Sequence, residues 1–247
     1  MDKTYEIKPV GCQAVQVIFE QKIEESINKK VMALKEMLSG SPRAFSGVPA
    51  GAVCETIPTF AALLIYYDPM LTDYLSMKNM LEGILSSMKK EKQAKGRLIE
   101  IPVCYGGTYG EDLAFVARHA GMTEEEVIRL HSSRDYRIYM LGFLPGFPYL
   151  GGMDERIFTP RMESPRTKIP AGSVGIGGEQ TGIYPVESPG GWRLIGRTPV
   201  KLFNPQKNGE LPYEAGDWIR FCPIGEEEYE KIRREEEYSK CNAGQKK

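Results

Sequence analysis

Glycine and proline are spread very unevenly along this chain, and that most limits its fold. Of 26 Gly and 17 Pro in 247 residues, 15 Gly and 11 Pro fall within residues 141–225. The other 162 residues hold only 17 of the two together. Proline fixes φ and removes a donor, and glycine favours turns, so no long helix can cross the rich stretch. The chain therefore divides into two regions of different architecture, consistent with the domain number expected at this length.

The first region, residues 1–95, alternates between strand and helix patterns. Val15, Val17 and Phe19 alternate as in a strand. Ile23, Ile27, Val31, Leu34 and Leu38 then form the apolar stripe of an amphipathic helix, stopped at Gly40 and Pro42. Two extended segments follow, Val48 to Pro58 and Ala61 to Tyr67. Asp68-Pro69 reads as a helix start, with Leu71, Leu75, Leu81, Ile84, Leu85 and Met88 as the stripe and Lys89 to Lys95 as a polar exit. Ile99, Ile101 and Val103 alternate again, and this strand can pair with the first region or lead into the next. The order strand, helix, strand, strand, helix, strand is that of a ferredoxin-like α+β sandwich. Met77-Lys78-Asn79-Met80 resembles a biotin acceptor core but lies within the helical stripe, so no biotin is expected.

The second region, residues 96–225, opens with two short helices. The first, built on Leu113, Val116, Ala117 and Ala120, ends at Gly121; Thr123 and Glu126 form a capping-box signature for the second, which runs to about His131. Tyr136 to Leu141 is a strand. Short apolar pieces then alternate with turns: Ile157-Phe158, Val174 to Ile176, Trp192 to Ile195, Val200 to Phe203 and Trp218 to Phe221. Such punctuation suggests a closed or sandwiched β structure. Residues 226–247 read as a charged helix and tail, with Glu227–Lys231 and Glu230–Arg234 pairs.

Composition removes several classes of function. The net charge is −1, which favours neither nucleic acid nor an anionic membrane surface. No apolar run approaches the roughly 20 residues of a membrane span, and MDKTYEIKPV lacks the apolar core of a signal peptide. The five cysteines are widely spaced and include no CxxC pair, so neither a disulfide framework nor a metal site is expected and the chain reads as cytoplasmic. Cys104, beside Gly106-Gly107, reads as a buried small side chain in the absence of an adjacent base.

Three stretches carry the candidate chemistry. In Leu141 to Gly152, Phe143, Phe147 and Tyr149 sit between prolines and glycines that fix their path. In Pro165 to Pro185, Arg166 and Lys168 precede glycines able to form an anion nest, and Gln180 and Tyr184 follow. In Ser188 to Pro199, Ser188, Gly190, Gly191, Trp192, Arg193 and Arg197 bring together a hydroxyl, amides, an indole and two guanidiniums. The chain contains no GxxxxGK[ST], GxSxG or HExxH and no dinucleotide fingerprint. Cations among aromatics and hydroxyls suit a small carboxylate, amide or phosphorylated intermediate. Of the two histidines, His119 reads as structural at a helix C-terminus, and His131 is the candidate for proton transfer.

The ordered motifs GFLPGFPYLGGMD, SPRTKIPAGSVGIGGEQTGIYP and SPGGWRLIGRTPVKLFNP closely resemble the allophanate hydrolase subunit 1 family. The likeness extends to IPVCYGG.YG.DL, to the EVI.LH segment ending at His131 and to the YYDP of the first region. Members of that family include the 5-oxoprolinase B subunits (PxpB) and the kinase inhibitor KipI. The resemblance implies a ferredoxin-like N-terminal domain followed by a cyclophilin-like β-barrel, without implying prolyl isomerase activity. It implies a subunit 2 partner (PxpC/KipA-like), a third 5-oxoprolinase subunit (PxpA-like) and ATP used by the complex, which opens 5-oxo-L-proline to L-glutamate. A sensor histidine kinase is the partner under the alternative, an inhibitor of autophosphorylation. A weaker alternative is a subunit acting on urea-derived amides. Under the first reading Arg166 and Lys168 bind anions, the Gly190 and Gly191 amides serve as donors, Gln180 and Tyr184 orient the amide, and His131 moves a proton. The family's sites are expected between subunits, so the chain alone is expected to be inactive.

Overall fold

The computed structural model describes residues 5–22, 24–39, 47–88, 96–205 and 211–244, with side chains as far as residue 236. Ile23, Gly40, Pro42 and the polar exit at 89–95 lie outside the described residues. The chain divides into two compact units, Met1–Lys95 and Gly96–Lys247.

Unit 1 contains strands β1 (Tyr5–Val10) and β2 (Ala14–Phe19), helix α1 (Glu25–Ser39), strands β3 (Val53–Pro58) and β4 (Ala62–Tyr67), and helix α2 (Tyr74–Ser87). The antiparallel sheet has the order β1-β2-β4-β3. The predicted α1 stripe is buried at Ile27, Val31, Leu34 and Leu38, together with Val15, Val17, Leu63 and Ile65 from the sheet. Strand β1 was not anticipated, because YEIKPV is mostly exposed and its apolar face is short, with Tyr5 and Ile7 packed against the core. Helix α2 begins later than its sequence suggested. Its cap is Asp73, whose carboxylate accepts from Ser76 N–H at 2.7 Å, whereas Asp68 caps only a turn at Met70. Leu71 and Leu75 are consequently exposed, and Met77, Met80, Leu81 and Ile84 form the buried face.

Unit 2 begins with β5 (Leu98–Tyr105), the strand whose pairing the sequence left open; it lies in a barrel. Helices α3 (Leu113–Ala120) and α4 (Glu124–Ser132) follow. Gly121 ends α3 at φ 66°, and Thr123 and Glu126 form the expected capping box. Strands β6 (Asp135–Leu141), β7 (Pro148–Gly151), β8 (Arg166–Ile169), β9 (Ser173–Gly177), β10 (Gln180–Ile183), β11 (Ser188–Gly190), β12 (Arg193–Arg197) and β13 (Trp218–Pro223) precede a terminal helix, α5 (Glu226–Gly244). Six of them close a barrel with β5, in the order β10-β7-β6-β13-β5-β12-β9, and β8 and β11 form a separate ribbon. Ile157 belongs to a 3-10 turn rather than a strand, and Val200 to Phe203 is loop. Ile101, Val103, Ile138, Leu150, Val174, Ile176, Ile195 and Ile219 fill the barrel core, against which α3 and α4 contribute Val116 and Val127. Helix α5 docks through Tyr229, 4.5 Å from the Tyr109 ring, and its Glu230 pairs with Arg233. No helix among the described residues is long and apolar enough to cross a membrane.

Candidate functional site

Glycines make room for the aromatic cluster that is the principal feature of unit 2. Phe147, Ile169, Tyr184, Trp192 and Leu194 form a core separate from the barrel interior, with Leu144 and Tyr149 packed on it. The Phe147 ring lies 5.1 Å from Tyr184, 5.3 Å from Trp192 and 4.9 Å from Tyr149, the first two edge to face. A Cβ at Gly177 would sit 2.4 Å from the Trp192 indole nitrogen, and one at Gly190 would sit 2.5 Å from the Tyr184 hydroxyl. These glycines therefore admit rings, a role separate from turn formation or an anion nest. Phe143 lies at the edge of the cluster, 64% exposed, its ring 5.8 Å from Phe147. Its φ is 65°, a conformation that costs a bulky side chain energy.

The four predicted cations do not act as one group. Arg166 is held by Asp112, with contacts of 2.9 and 3.0 Å, and Glu111 stands 3.6 Å away. Its pKa is raised chiefly by the hydrogen bond to Asp112. Arg193 lies 3.7 Å from the same carboxylate and 3.8 Å above the Phe115 ring. Lys168 is exposed and pairs with Glu187 at 3.1 Å. Arg197 lies where its charge acts on Tyr109 and Tyr229, toward α5, and its Nε is buried without a hydrogen-bond partner. Asp112 was missed by sequence reasoning. It is buried, and its carboxylate also accepts from Leu194 N–H at 2.7 Å, tying the start of α3 to β12 and β8.

Arg161 was also missed, although a Pro-Arg pair at 160–161 foreshadows Pro165-Arg166. Its guanidinium lies 5.8 Å from the Trp192 ring centroid. Burial raises the Tyr149 and Tyr184 hydroxyl pKa values, and the charge of Arg161 opposes the rise at both.

His131 is fully buried among barrel residues, 4.5 Å from the Phe221 ring. The Thr181 hydroxyl donates to Gly175 O at 2.9 Å, so it accepts from His131 Nε2–H, also at 2.9 Å. Nδ1 is then the acceptor for the Tyr105 hydroxyl, 2.8 Å away. Desolvation pushes its pKa down to about 3. This geometry makes His131 a neutral pin of the barrel core; it does not place an exposed proton carrier beside the aromatic cluster.

The remaining predicted residues flank the cluster. Gln180 opens β10, half-buried opposite Gly177. The Ser188 hydroxyl is buried without a hydrogen-bond partner. Gly190 pairs with Arg166 in the ribbon, and the Gly191 carbonyl accepts from Met162 N–H at 2.7 Å. Burial raises the Cys104 pKa, as befits a packing residue. Among the described residues no group of three or more His, Cys, Asp or Glu could hold a metal. A shallow groove of about 730 Å³ beside Tyr109 and α5 carries four glutamates and shares no residue with the cluster.

Comparison with known proteins places the whole arrangement. The carboxyltransferase domain family, subdomain C and D, matches residues 5–212. The 5-oxoprolinase B subunit of Bacillus subtilis is 41% identical over 245 residues, covering 95% of this chain and 99% of that protein. Its Escherichia coli O157:H7 counterpart is 39% identical over 217 residues, covering 87% of this chain and 94% of that protein. The crystal structure of TTHA0988 superposes with a TM-score of 0.74 at 33% identity, covering 87% of this chain, which spans only 40% of that longer one. The chain belongs to the carboxyltransferase-domain subdomain C and D family, together with the 5-oxoprolinase B subunits.

Proposed function

We propose that this chain is the B subunit of an ATP-dependent 5-oxoprolinase, working in the cytoplasm as part of a hetero-oligomer with a subunit 2 protein and a third subunit. The observation that carries the reading is end-to-end similarity: 41% identity over 99% of a 5-oxoprolinase B subunit. Matches to a urea carboxylase are weaker, 30% identity over 16% of that protein, which disfavours free-standing urea chemistry. The same reading takes unit 1 as a ferredoxin-like sandwich, with β1 in the edge position that a C-terminal strand usually fills. Unit 2 is taken as a cyclophilin-like barrel.

The chemistry suits such a site. Amide resonance makes a lactam carbonyl a poor electrophile. Phosphoryl transfer from ATP to its oxygen activates the carbon: water adds there, the C–N bond breaks with a proton passing to the nitrogen to leave an acyl phosphate, and a second water releases phosphate to give glutamate. On this chain the exposed Phe143 and the half-buried Tyr149, at the edge of the aromatic cluster, offer apolar contact for a five-membered ring, with the Arg161 guanidinium nearby. The test is reconstitution of the three subunits, measuring phosphate and glutamate release that depend on 5-oxo-L-proline. Omitting this chain is expected to abolish release. Unchanged release without it refutes the reading.

A further inference from the structure

Five cations lie in or beside the candidate motifs, and the structure distinguishes them by their partners and their exposure. Arg166 and Arg193 share Asp112, Lys168 has Glu187, and Arg197 lies toward Tyr109 and Tyr229. Arg197 also has no carboxylate ion pair among the described residues, but it is half-buried, with its Nε enclosed, whereas Arg161 is open. Arg161 stands over Trp192, and among the described residues no carboxylate forms an ion pair with it.

Its backbone is also held in place. Thr159 and Gly178 exchange hydrogen bonds of 2.8 and 3.3 Å just before it, and Met162 N–H donates to Gly191 O at 2.7 Å just after it. Residues on both sides of Arg161 are thus tied to the turns beside Trp192. A guanidinium on a fixed backbone loses less freedom when it takes up a ligand. Its planar fork fits the two oxygens of a carboxylate.

Resting on the reading of the chain as a 5-oxoprolinase component, we propose that Arg161 binds the carboxylate of the cyclic amide substrate, whose ring lies against the half-buried Tyr149. Arg161 is then the residue that selects an acidic lactam over a neutral one. Arg166, which chain position alone would favour, serves to hold α3, β8 and β12 together through Asp112.

The test uses the reconstituted complex carrying Arg161→Gln or Arg161→Lys. With 5-oxo-L-proline, Arg161→Gln is expected to raise KM at least tenfold and to leave kcat within about threefold, because ground-state and transition-state binding of a remote carboxylate are lost alike. Arg161→Lys is expected to fall between Arg161→Gln and the parent. Near-ultraviolet circular dichroism reports whether the Trp192 surroundings stay intact. An unchanged KM in Arg161→Gln overturns the assignment, as does a loss confined to kcat. The two failures are separable: a parent complex with no 5-oxoproline-dependent turnover sinks the functional reading, and an active parent with a kinetically identical Arg161→Gln sinks only the role of Arg161.

Discussion

Replacing Asp112 by alanine removes one carboxylate that holds three elements together. Leu194 N–H, buried in β12, loses its acceptor, and Arg166 loses both of its short contacts. An unsatisfied buried donor costs about 1–3 kcal/mol. Removing one partner of a fully buried ion pair costs about 3–5 kcal/mol. Arg166 keeps 21% side-chain exposure and Glu111 at 3.6 Å, so the ionic share lies well below that range. A combined loss of about 3–5 kcal/mol is expected. For a unit of this size that lowers Tm by roughly 8–15 °C. Asp112→Asn keeps an acceptor for Leu194 and should cost about 1–2 kcal/mol. The double variant Asp112→Ala/Arg166→Met should be more stable than Asp112→Ala alone, because it removes the unpaired charge. The assay is tryptophan fluorescence during urea unfolding. Both tryptophans, Trp192 and Trp218, lie in unit 2, so the signal follows that unit alone. A cost below about 1 kcal/mol for Asp112→Ala would refute the claim that this carboxylate joins the elements.

Two further perturbations test the packing. His131 is held neutral, with its pKa pushed down from 6.5 to about 3, so the stability it contributes is complete above pH 6.5 and is lost as pH falls toward 3. Between pH 7 and pH 5 this group should account for about 2 kcal/mol; denaturation curves of His131→Gln should lack that component, and identical pH slopes would contradict it. Gly177→Ala places a methyl group against the Trp192 indole and is expected to destabilise unit 2 by about 1–3 kcal/mol and to shift the Trp192 emission. An unshifted spectrum would mean that the glycine is not there to admit the ring.

Local rules made much of the scaffold legible. The stripe through Ile27, Val31, Leu34 and Leu38 gave α1, and the Thr123–Glu126 box and Gly121 placed the α3–α4 junction. Periodicity failed at α2 because it counts polarity and not burial. Leu71 and Leu75 fit the stripe yet are exposed, and Asp68 and Asp73 offer equally plausible caps. At the site, residue types were legible but partners were not. Arg166 could be seen as a cation, but nothing local reveals a counter-charge 54 residues earlier at Asp112. Likewise, Gly177 and Gly190 look like turn residues until the rings that occupy their missing side-chain space are known.

The placement of β5 in the barrel also bears on how the protein is made. Its barrel neighbours are β12 and β13, and its parallel register with β13 joins Leu98 to Trp218, 120 residues later. As the chain leaves the ribosome, Leu98–Tyr105 must wait with both edges unpaired until β12 emerges, and with one edge open until β13 follows. Such long-range closure is slow and leaves a strand open to wrong partners in the meantime. Unit 1 has no such dependence, because each strand in its sheet pairs within the first 67 residues. Synthesis should therefore pass through a stage in which a folded N-terminal unit is tethered to an unfinished barrel, and a chain cut before Trp218 could not complete the ladder on that side of β5.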